Sequence, residues 1–175
     1  MTLETTTDPV APDAAPPAPS TARAAGVAAA AASLGVSELI AGIFSSVPSL
    51  IVGVATLVID TVPKAVKDLA ISLFGTSDKL ALGVGIVVVS LALGSWVGSR
   101  AATNRNTGPI VFAAFGLFGG LAAARTVDAG LVASILTGAV SAAVGVVALW
   151  LLLALGSRTS EERIDGDRRA FLVSA

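Results

Sequence analysis

The chain has 175 residues, of which 54% are hydrophobic and 13% are charged, and its mean hydropathy is +0.87. A soluble domain normally carries about 25% charged residues, so the composition excludes an ordinary water-soluble core and indicates an integral membrane protein. The formal net charge of -1 gives no sign of nucleic-acid binding. The sequence has no cysteine and no histidine, which excludes disulfides, thiolate metal sites and the bis-histidine haem of a membrane cytochrome.

Residues 1–23 are predicted to form a disordered cytoplasmic tail. The segment is polar and acidic, and it contains five prolines: Pro9, Pro12, Pro16, Pro17 and Pro19. Such a composition buries too little apolar surface to offset the entropy of ordering the chain. We do not expect a secretory signal peptide here, because the start is not positively charged and the apolar run begins late.

Four apolar stretches predict transmembrane helices, at about residues 24–44, 80–98, 109–124 and 132–155. The strongest is 132–155, which has 24 residues without a charge or a proline. As a helix it would be about 36 Å long, enough for a hydrocarbon core of roughly 30 Å. Backbone amides find no water in lipid, so such a run must be helical. The expected fold is therefore an all-α membrane protein with four transmembrane helices in a domain spanning 24–155.

Residues 47–75 interrupt this pattern and are predicted to form a broken section. An apolar run of 11 residues, SLIVGVATLVI, is followed by Asp60 and Pro63. As a helix this run would be about 16 Å long, half of a bilayer. The segment from Pro63 to Gly75 has apolar residues at helical spacing, with Lys64 and Lys67 elsewhere, which predicts a short amphipathic interfacial helix. Two interpretations stay open: a re-entrant pair of helices, or two packed helices outside the lipid.

Small residues recur every four positions in three of the predicted spans. This small-xxx-small pattern is typical of faces on which membrane helices approach closely, and we interpret it as helix packing rather than ligand binding. The predicted packing residues are Ser90, Gly94 and Gly98, then Gly116 and Gly120, then Ser134 and Gly138.

Glu38, inside the first predicted span, is the best candidate for an intramembrane polar site, because a carboxylate in lipid is expensive. Its expected partners are Lys64 or Lys67, or serine and backbone donors nearby. A structural alternative is that Glu38 lies near the outer end of its helix and reaches the interface. Asp60 is expected to cap the following helix or to pair with Lys64 four residues on.

An even number of spans places both termini on the same side of the membrane. That side would carry seven arginines: Arg23, Arg100, Arg105, Arg158, Arg163, Arg168 and Arg169. The other side would carry four cationic residues: Lys64, Lys67, Lys79 and Arg125. The positive-inside rule therefore predicts a multi-pass protein of the bacterial inner membrane with both termini in the cytoplasm.

Two segments resemble a known family. They are GVSELIAGIF followed by VIDTVPKAVKDLAISLFGTSDK, and the tail GDRRAFLVSA within 156–175. Over residues 24–175 the chain resembles the N-terminal membrane region of bacterial molybdopterin-dependent oxidoreductases of the sulfite oxidase type. In the tail, a twin-arginine-like pattern is matched by Arg168, Arg169, Phe171 and Leu172. Asp167 replaces the usual serine or threonine of that pattern, and Val173 replaces the frequent lysine.

The resemblance implies a membrane anchor without catalytic residues of its own. In the family a further hydrophobic helix and an extracytoplasmic molybdenum domain follow, and a cysteine of that domain ligates the metal. Because this sequence has no cysteine, molybdopterin is expected only in a catalytic domain outside the chain, and no cofactor or metal is expected within it. The implied partners are the lipid bilayer and a molybdenum domain or other membrane subunits, with no nucleic acid.

Three alternatives to parts of this hypothesis stay open. The tail arginines could serve only to hold the end of the fourth span in the cytoplasm. The chain could be a small transporter or channel subunit in which Glu38, Asp60 and the broken section line a path. It could also be a structural membrane protein that assembles with others through its small-residue faces.

Overall fold

The computed structural model describes residues 17–45, 47–64, 78–126 and 130–173, and for residues 78, 79 and 159–173 it describes the backbone alone. Within these ranges the chain is all-helical and contains no strand, which confirms the predicted all-α class. The helices, numbered in chain order, are α1 (Pro19–Ile43), α2 (Leu50–Thr61), α3 (Asp78–Ala101), α4 (Thr107–Ala123) and α5 (Leu131–Val173). Residues 1–16 of the predicted tail, and the part of the broken section that contains Lys67, lie outside the described residues.

Three segments are long and apolar enough to cross a membrane, by length and composition: Pro19–Ile43, Leu80–Ala101 and Leu131–Arg158. The fourth predicted span, 109–124, corresponds to α4, which is apolar but has only 17 residues. At 1.5 Å per residue α4 is about 25 Å long, shorter than a typical hydrocarbon core. Polar residues at both ends limit α4 to this length. Four transmembrane helices are therefore not confirmed.

Two helices extend beyond the predicted boundaries. The first, α1, begins at Pro19, inside the segment that was predicted to be disordered. Proline suits the first helical turn, and Ala22 and Ala25 are buried there, so packing orders these residues. At the other end of the chain, α5 continues without a break as far as Val173, through most of the segment that was predicted to be a polar tail. The apolar run of the broken section forms α2.

The bundle is built around α1 and α5. The helix α5 packs along both α1 and α4, and α1 packs along α3 on another side. The shorter α2 lies against α4 and α3. Alanines fill much of the core, and the larger side chains Val97, Phe112 and Leu149 pack among them.

The α1–α3 contact is a crossing at which the two backbones touch. A Cβ atom built on Gly98 would lie 2.8 Å from the Cα of Gly26, and one on Gly94 would lie 2.6 Å from the Cβ of Ala30. Real Cβ contacts are essentially never this short, so only glycine fits at these positions. Gly94 and Gly98 belong to the predicted small-residue face of α3, and the structure adds Gly26 as their partner.

The α4–α5 contact is a second crossing of the same kind. A Cβ atom on Gly116 would lie 2.9 Å from the Cβ of Ala142, and one on Gly120 would lie 2.9 Å from the carbonyl oxygen of Ser134. Gly138 faces Gly116 directly across the contact. The structure thus places two of the predicted small-residue faces against each other. Close approach of this kind maximises van der Waals contact where lipid offers no hydrophobic drive for association.

Replacing Gly98 by alanine is expected to destabilise the bundle, because the new methyl group would meet the backbone of Gly26. Overpacking of this type costs about 1–3 kcal/mol. Gly83 is a matched control on the same helix, since a Cβ atom there would meet nothing within 4 Å. Thermal unfolding of the protein in detergent should show a lower midpoint for Gly98→Ala than for Gly83→Ala, and equal midpoints would contradict the crossing.

Candidate functional site

The first turn of α2 is held by side chains from outside the helix. The Ser49 hydroxyl accepts a hydrogen bond from the N–H of Val52 at 3.1 Å, as expected of an N-cap residue. The carboxylate of Glu38, which lies on α1, accepts a hydrogen bond from the N–H of Ile51 at 3.3 Å. The N–H of Gly53 donates to the carbonyl oxygen of Ser49 at 3.0 Å. Three successive N–H groups at the start of α2 therefore have acceptors.

This arrangement gives Glu38 a structural role. The first N–H groups of a helix have no partner within the helix, and in an apolar environment an unpaired N–H is costly. A carboxylate at this end also interacts favourably with the helix dipole. Glu38 is half-buried, and from a neighbouring helix it supplies both the hydrogen-bond acceptor and the negative charge. It therefore ties α2 to α1, and among its expected partners the structure shows a backbone donor.

The other predicted polar residues do not join Glu38 in one cluster. Asp60 is exposed in the last turn of α2, and this 12-residue helix is about 18 Å long, so Asp60 lies far from the first turn. Lys64 is exposed beyond the same end, and Lys67 lies outside the described residues. In the described part of the chain no ion pair joins Asp60 to Lys64. The transporter hypothesis, which needs Glu38 and Asp60 on one path, gains no support from this geometry.

A small, partly open cavity lies among the helices, and residues of all five helices line it. Its volume is about 120 Å³. The wall is mostly apolar, with Phe112, Phe115 and Phe118 on the α4 side. Four hydroxyl groups interrupt it, those of Ser33, Ser37, Ser90 and Ser141.

The four serines of the cavity differ in their hydrogen bonding. The hydroxyl of Ser33 donates to the carbonyl oxygen of Ser141 at 2.8 Å, and that of Ser37 donates to the carbonyl oxygen of Leu34 at 2.7 Å. The hydroxyl of Ser141 is buried without a partner in the described part of the chain. Of these four serines, the small-residue spacing in the sequence marks only Ser90, as a packing residue. A hydroxyl inside an apolar span is the signal that would have identified the others, although most such hydroxyls bond within their own helix.

Arginines and tryptophans pair at one end of the bundle. The guanidinium of Arg100 lies 5.5 Å from the centre of the Trp96 ring, and that of Arg105 lies 5.0 Å from the centre of the Trp150 ring. Both distances are within the range of cation–π attraction. The second pair fastens the α3–α4 loop to α5. No local sequence pattern marks this pair, because the two residues are far apart in the chain.

The same end of the bundle gathers other cationic positions. The start of α1 lies there, because a Cβ atom on Gly156 would be 2.7 Å from the side chain of Thr21. Arg23 and Arg158 are within two residues of this contact. Arg125 follows α4 at the opposite end. The twin-arginine-like residues fall in the last turns of the α5 backbone, and their side chains lie outside the description: Arg168, Arg169, Phe171 and Leu172.

No group of three or more histidine, cysteine, aspartate or glutamate side chains that could hold a metal ion occurs among the described residues. Comparison with known proteins gives no assignment either: no family model, no curated protein and no solved structure matches this chain. The candidate site therefore consists of the Glu38 cap and the serine-lined cavity.

Glu38→Leu is expected to weaken the start of α2, because the N–H of Ile51 loses its acceptor. The expected loss is about 1 kcal/mol in local stability. Glu38→Gln keeps an amide oxygen in the same place and should retain most of the protection. Amide hydrogen exchange at Ile51 measures the effect directly, and Asp60→Asn at the far end of α2 is the control. Unchanged exchange at Ile51 in Glu38→Leu would show that the carboxylate does not cap α2.

Proposed function

We propose that this protein is a membrane anchor that holds a catalytic partner of the molybdopterin oxidoreductase type at the bacterial inner membrane. The observation that carries the proposal is the continuity of α5. This helix has 43 residues, and its apolar segment ends at Arg158. The remaining 15 residues, 159–173, continue the same helix beyond the apolar segment, which adds about 22 Å. A helix that continues past its apolar segment without a break can act as a rigid connector.

The surface of the bundle supports a location in lipid. Large hydrophobic side chains are exposed on every long helix, including Leu39 on α1, Val84 and Val88 on α3, and Val147 and Leu151 on α5. Soluble proteins rarely expose continuous apolar patches larger than a few hundred Å². Hydrocarbon is the medium in which such a surface is stable, and the three long apolar helices agree with this.

The distribution of arginines supports an orientation. Arg100, Arg105 and the start of α1 lie at the same end of the bundle, and Arg125 lies at the other. The positive-inside rule favours the arginine-rich end in the cytoplasm. In this orientation α5 would deliver the twin-arginine-like segment to the cytoplasmic side, where such a signal has to be read. We therefore propose cytoplasmic termini, with α4 as a fourth, short crossing.

The identity of the partner rests on the resemblance of residues 24–175 to the membrane region of those oxidoreductases. The bundle itself does not offer a molybdenum site, because the sequence has no cysteine and the described residues hold no cluster of ligands. In this proposal the metal and its pterin belong to the partner, and the bundle contributes position. The residues that carry this role are those of the crossings and the helical extension of α5.

The orientation is testable with single cysteines, because the natural chain has none. Asn104→Cys lies in the α3–α4 loop and Thr126→Cys follows α4 at the opposite end, and both replacements leave the arginines in place. In intact cells a membrane-impermeant maleimide is expected to label Thr126→Cys and to label Asn104→Cys only after lysis. The reverse pattern would refute the orientation, and labelling of both positions would refute a membrane-spanning bundle.

The anchor function is testable by purification from membranes of the source bacterium. The tagged chain, extracted with mild detergent, is expected to carry molybdenum well above the amount that accompanies an unrelated multi-pass membrane protein. Metal analysis and identification of the co-purifying polypeptide measure this. Molybdenum at the background level, with the bundle intact, would refute the proposed partner.

A further inference from the structure

Two arginines lie near the point where α3, α4 and α5 meet at one end of the bundle. A Cβ atom built on Gly108, at the start of α4, would lie 2.7 Å from the side chain of Leu149 on α5 and 3.9 Å from the Cβ of Ala101 on α3. Arg100 is next to Ala101 in the chain. Arg105 lies in the short loop that leads to Gly108. The contact of the three helices therefore brings both arginines to one place.

The loop between the two arginines is compact. The carbonyl oxygen of Arg100 accepts hydrogen bonds from the N–H of Thr103 at 3.1 Å and from that of Asn104 at 2.8 Å. The second bond spans one turn, and Arg105 follows Asn104 directly, so the Cα atoms of the two arginines are within about 10 Å of each other. Their guanidinium groups therefore belong to one cationic surface.

The tryptophan contacts hold these guanidinium groups without using their hydrogen-bond donors. Arg100 lies over the ring of Trp96 and Arg105 over the ring of Trp150. A ring covers one face of the guanidinium plane, whereas the five N–H donors point outward along its edge. Both arginines are exposed, and in the described part of the chain neither side chain has an acceptor or an ion-pair partner. The edge is the part of arginine that binds phosphate.

Positive charge is unbalanced at this end, as far as side chains are described. Arg23 on α1 and Arg158 on α5 are exposed at the same end, and neither has an ion-pair partner among the described side chains. The carboxylates in that set are Glu38 and Asp60. Glu38 is about 22 Å along α1 from Arg23, and Asp60 is in the last turn of α2. The arginines therefore need an anion from outside the described chain.

The membrane location places this surface at the level of the lipid headgroups. The apolar segment of α3 ends at Ala101 and that of α5 ends at Arg158, so the arginines lie where these segments stop. Trp96 is 49% exposed on α3, and tryptophan is enriched at the boundary between hydrocarbon and water. The phosphate groups of the lipids lie at this boundary. They are the anions that the arginines meet first.

We propose that this end of the bundle binds an anionic phospholipid through its phosphate group. The edges of Arg100 and Arg105 donate to the phosphate oxygens, while Trp96 and Trp150 hold the two guanidinium groups in position. A net negative charge distinguishes the favoured lipid, because the ammonium group of a zwitterionic lipid neutralises its own phosphate. The inference rests on the proposed membrane location, but it does not depend on the identity of the catalytic partner.

Intrinsic fluorescence measures this binding at the site itself, because the sequence has two tryptophans and both belong to the site. The full chain is reconstituted in phosphatidylcholine vesicles. Phosphatidylglycerol and phosphatidylcholine, each with the same nitroxide quencher at the headgroup end of one acyl chain, are added at equal mole fractions. Phosphatidylglycerol is expected to quench at a clearly lower mole fraction, and the ratio of the two gives its relative binding constant.

The role of the arginines is tested with variants that remove one charge each. Arg100→Gln and Arg105→Gln should each reduce the preference for phosphatidylglycerol about fivefold, because each removes one cation that faces the phosphate. Arg105→Lys keeps the charge but loses the planar fork, so its loss should be smaller. Arg125→Gln is the matched control, since it removes the same charge from an exposed arginine at the opposite end, and it should leave the preference unchanged.

Three results would overturn the proposal. Equal quenching by the two lipids in the parent chain is expected if the arginines bind an acidic protein surface, or acidic residues of the chain whose side chains lie outside the description. Equal losses in Arg105→Gln and Arg125→Gln would show a general effect of charge. Loss of the preference on addition of water-soluble glycerol phosphate would show a site for free phosphate rather than for lipid.

Failure of the membrane location gives a different result. If this end of the bundle lay outside the lipid, neither labelled lipid would quench the tryptophans. Quenching by both lipids with equal strength would keep the location and reject the anionic site. The parent chain alone therefore separates the two failures before any variant is made.

Discussion

Backbone contact at glycine sets the arrangement of this bundle. Gly26 against Gly98 fixes the crossing of α1 and α3, and Gly116 against Gly138 fixes the crossing of α4 and α5. In lipid the apolar surfaces of helices gain little by leaving the solvent, so close van der Waals contact has to stabilise the association. Because α5 also packs along α1, the two crossings are joined into one unit. The arginine–tryptophan pair that fastens the α3–α4 loop to α5 closes one end of that unit.

Hydrogen bonding explains the position of the short helix α2. An isolated helix of 12 residues is only marginally stable, and its first N–H groups need acceptors that lipid does not supply. Ser49 provides one acceptor locally, and Glu38 provides another from α1. Gly53 then allows α2 to touch α4, since a Cβ atom there would be 2.5 Å from the Cα of Ala123. The carboxylate within an apolar helix is thus explained by the helix end that it caps.

The helical class could be predicted because it depends on local composition. The small-residue faces could be predicted because they depend on a spacing of four residues. The sequence did not predict which faces meet, because Gly26 stands in an alanine-rich stretch where nearly every position is small and the spacing does not single out one face. Glu38 was identified as unusual, but its partner is a backbone group, and a backbone N–H carries no residue-specific signal. The length of α1 was underestimated because Pro19 is typical of disordered segments as well as of first helical turns. Packing against α3 decides between these two, and packing is not visible in one segment of sequence.

Among the described residues, the two halves of α3 are packed differently. Gly94 and Gly98, in its C-terminal half, contact the backbone of α1. Gly83 and Gly85 lie in its N-terminal half, and a Cβ atom built on either would meet nothing within 4 Å. The neighbouring α2 contacts α3 less extensively than it contacts α4, since Gly53 brings it close to α4 and Glu38 ties its first turn to α1. Each helix therefore packs closely only where a glycine lets its backbone meet a neighbour. The positions of these glycines along the chain, rather than the amount of apolar surface, decide which pairs of helices are close, because apolar surface is present on every helix.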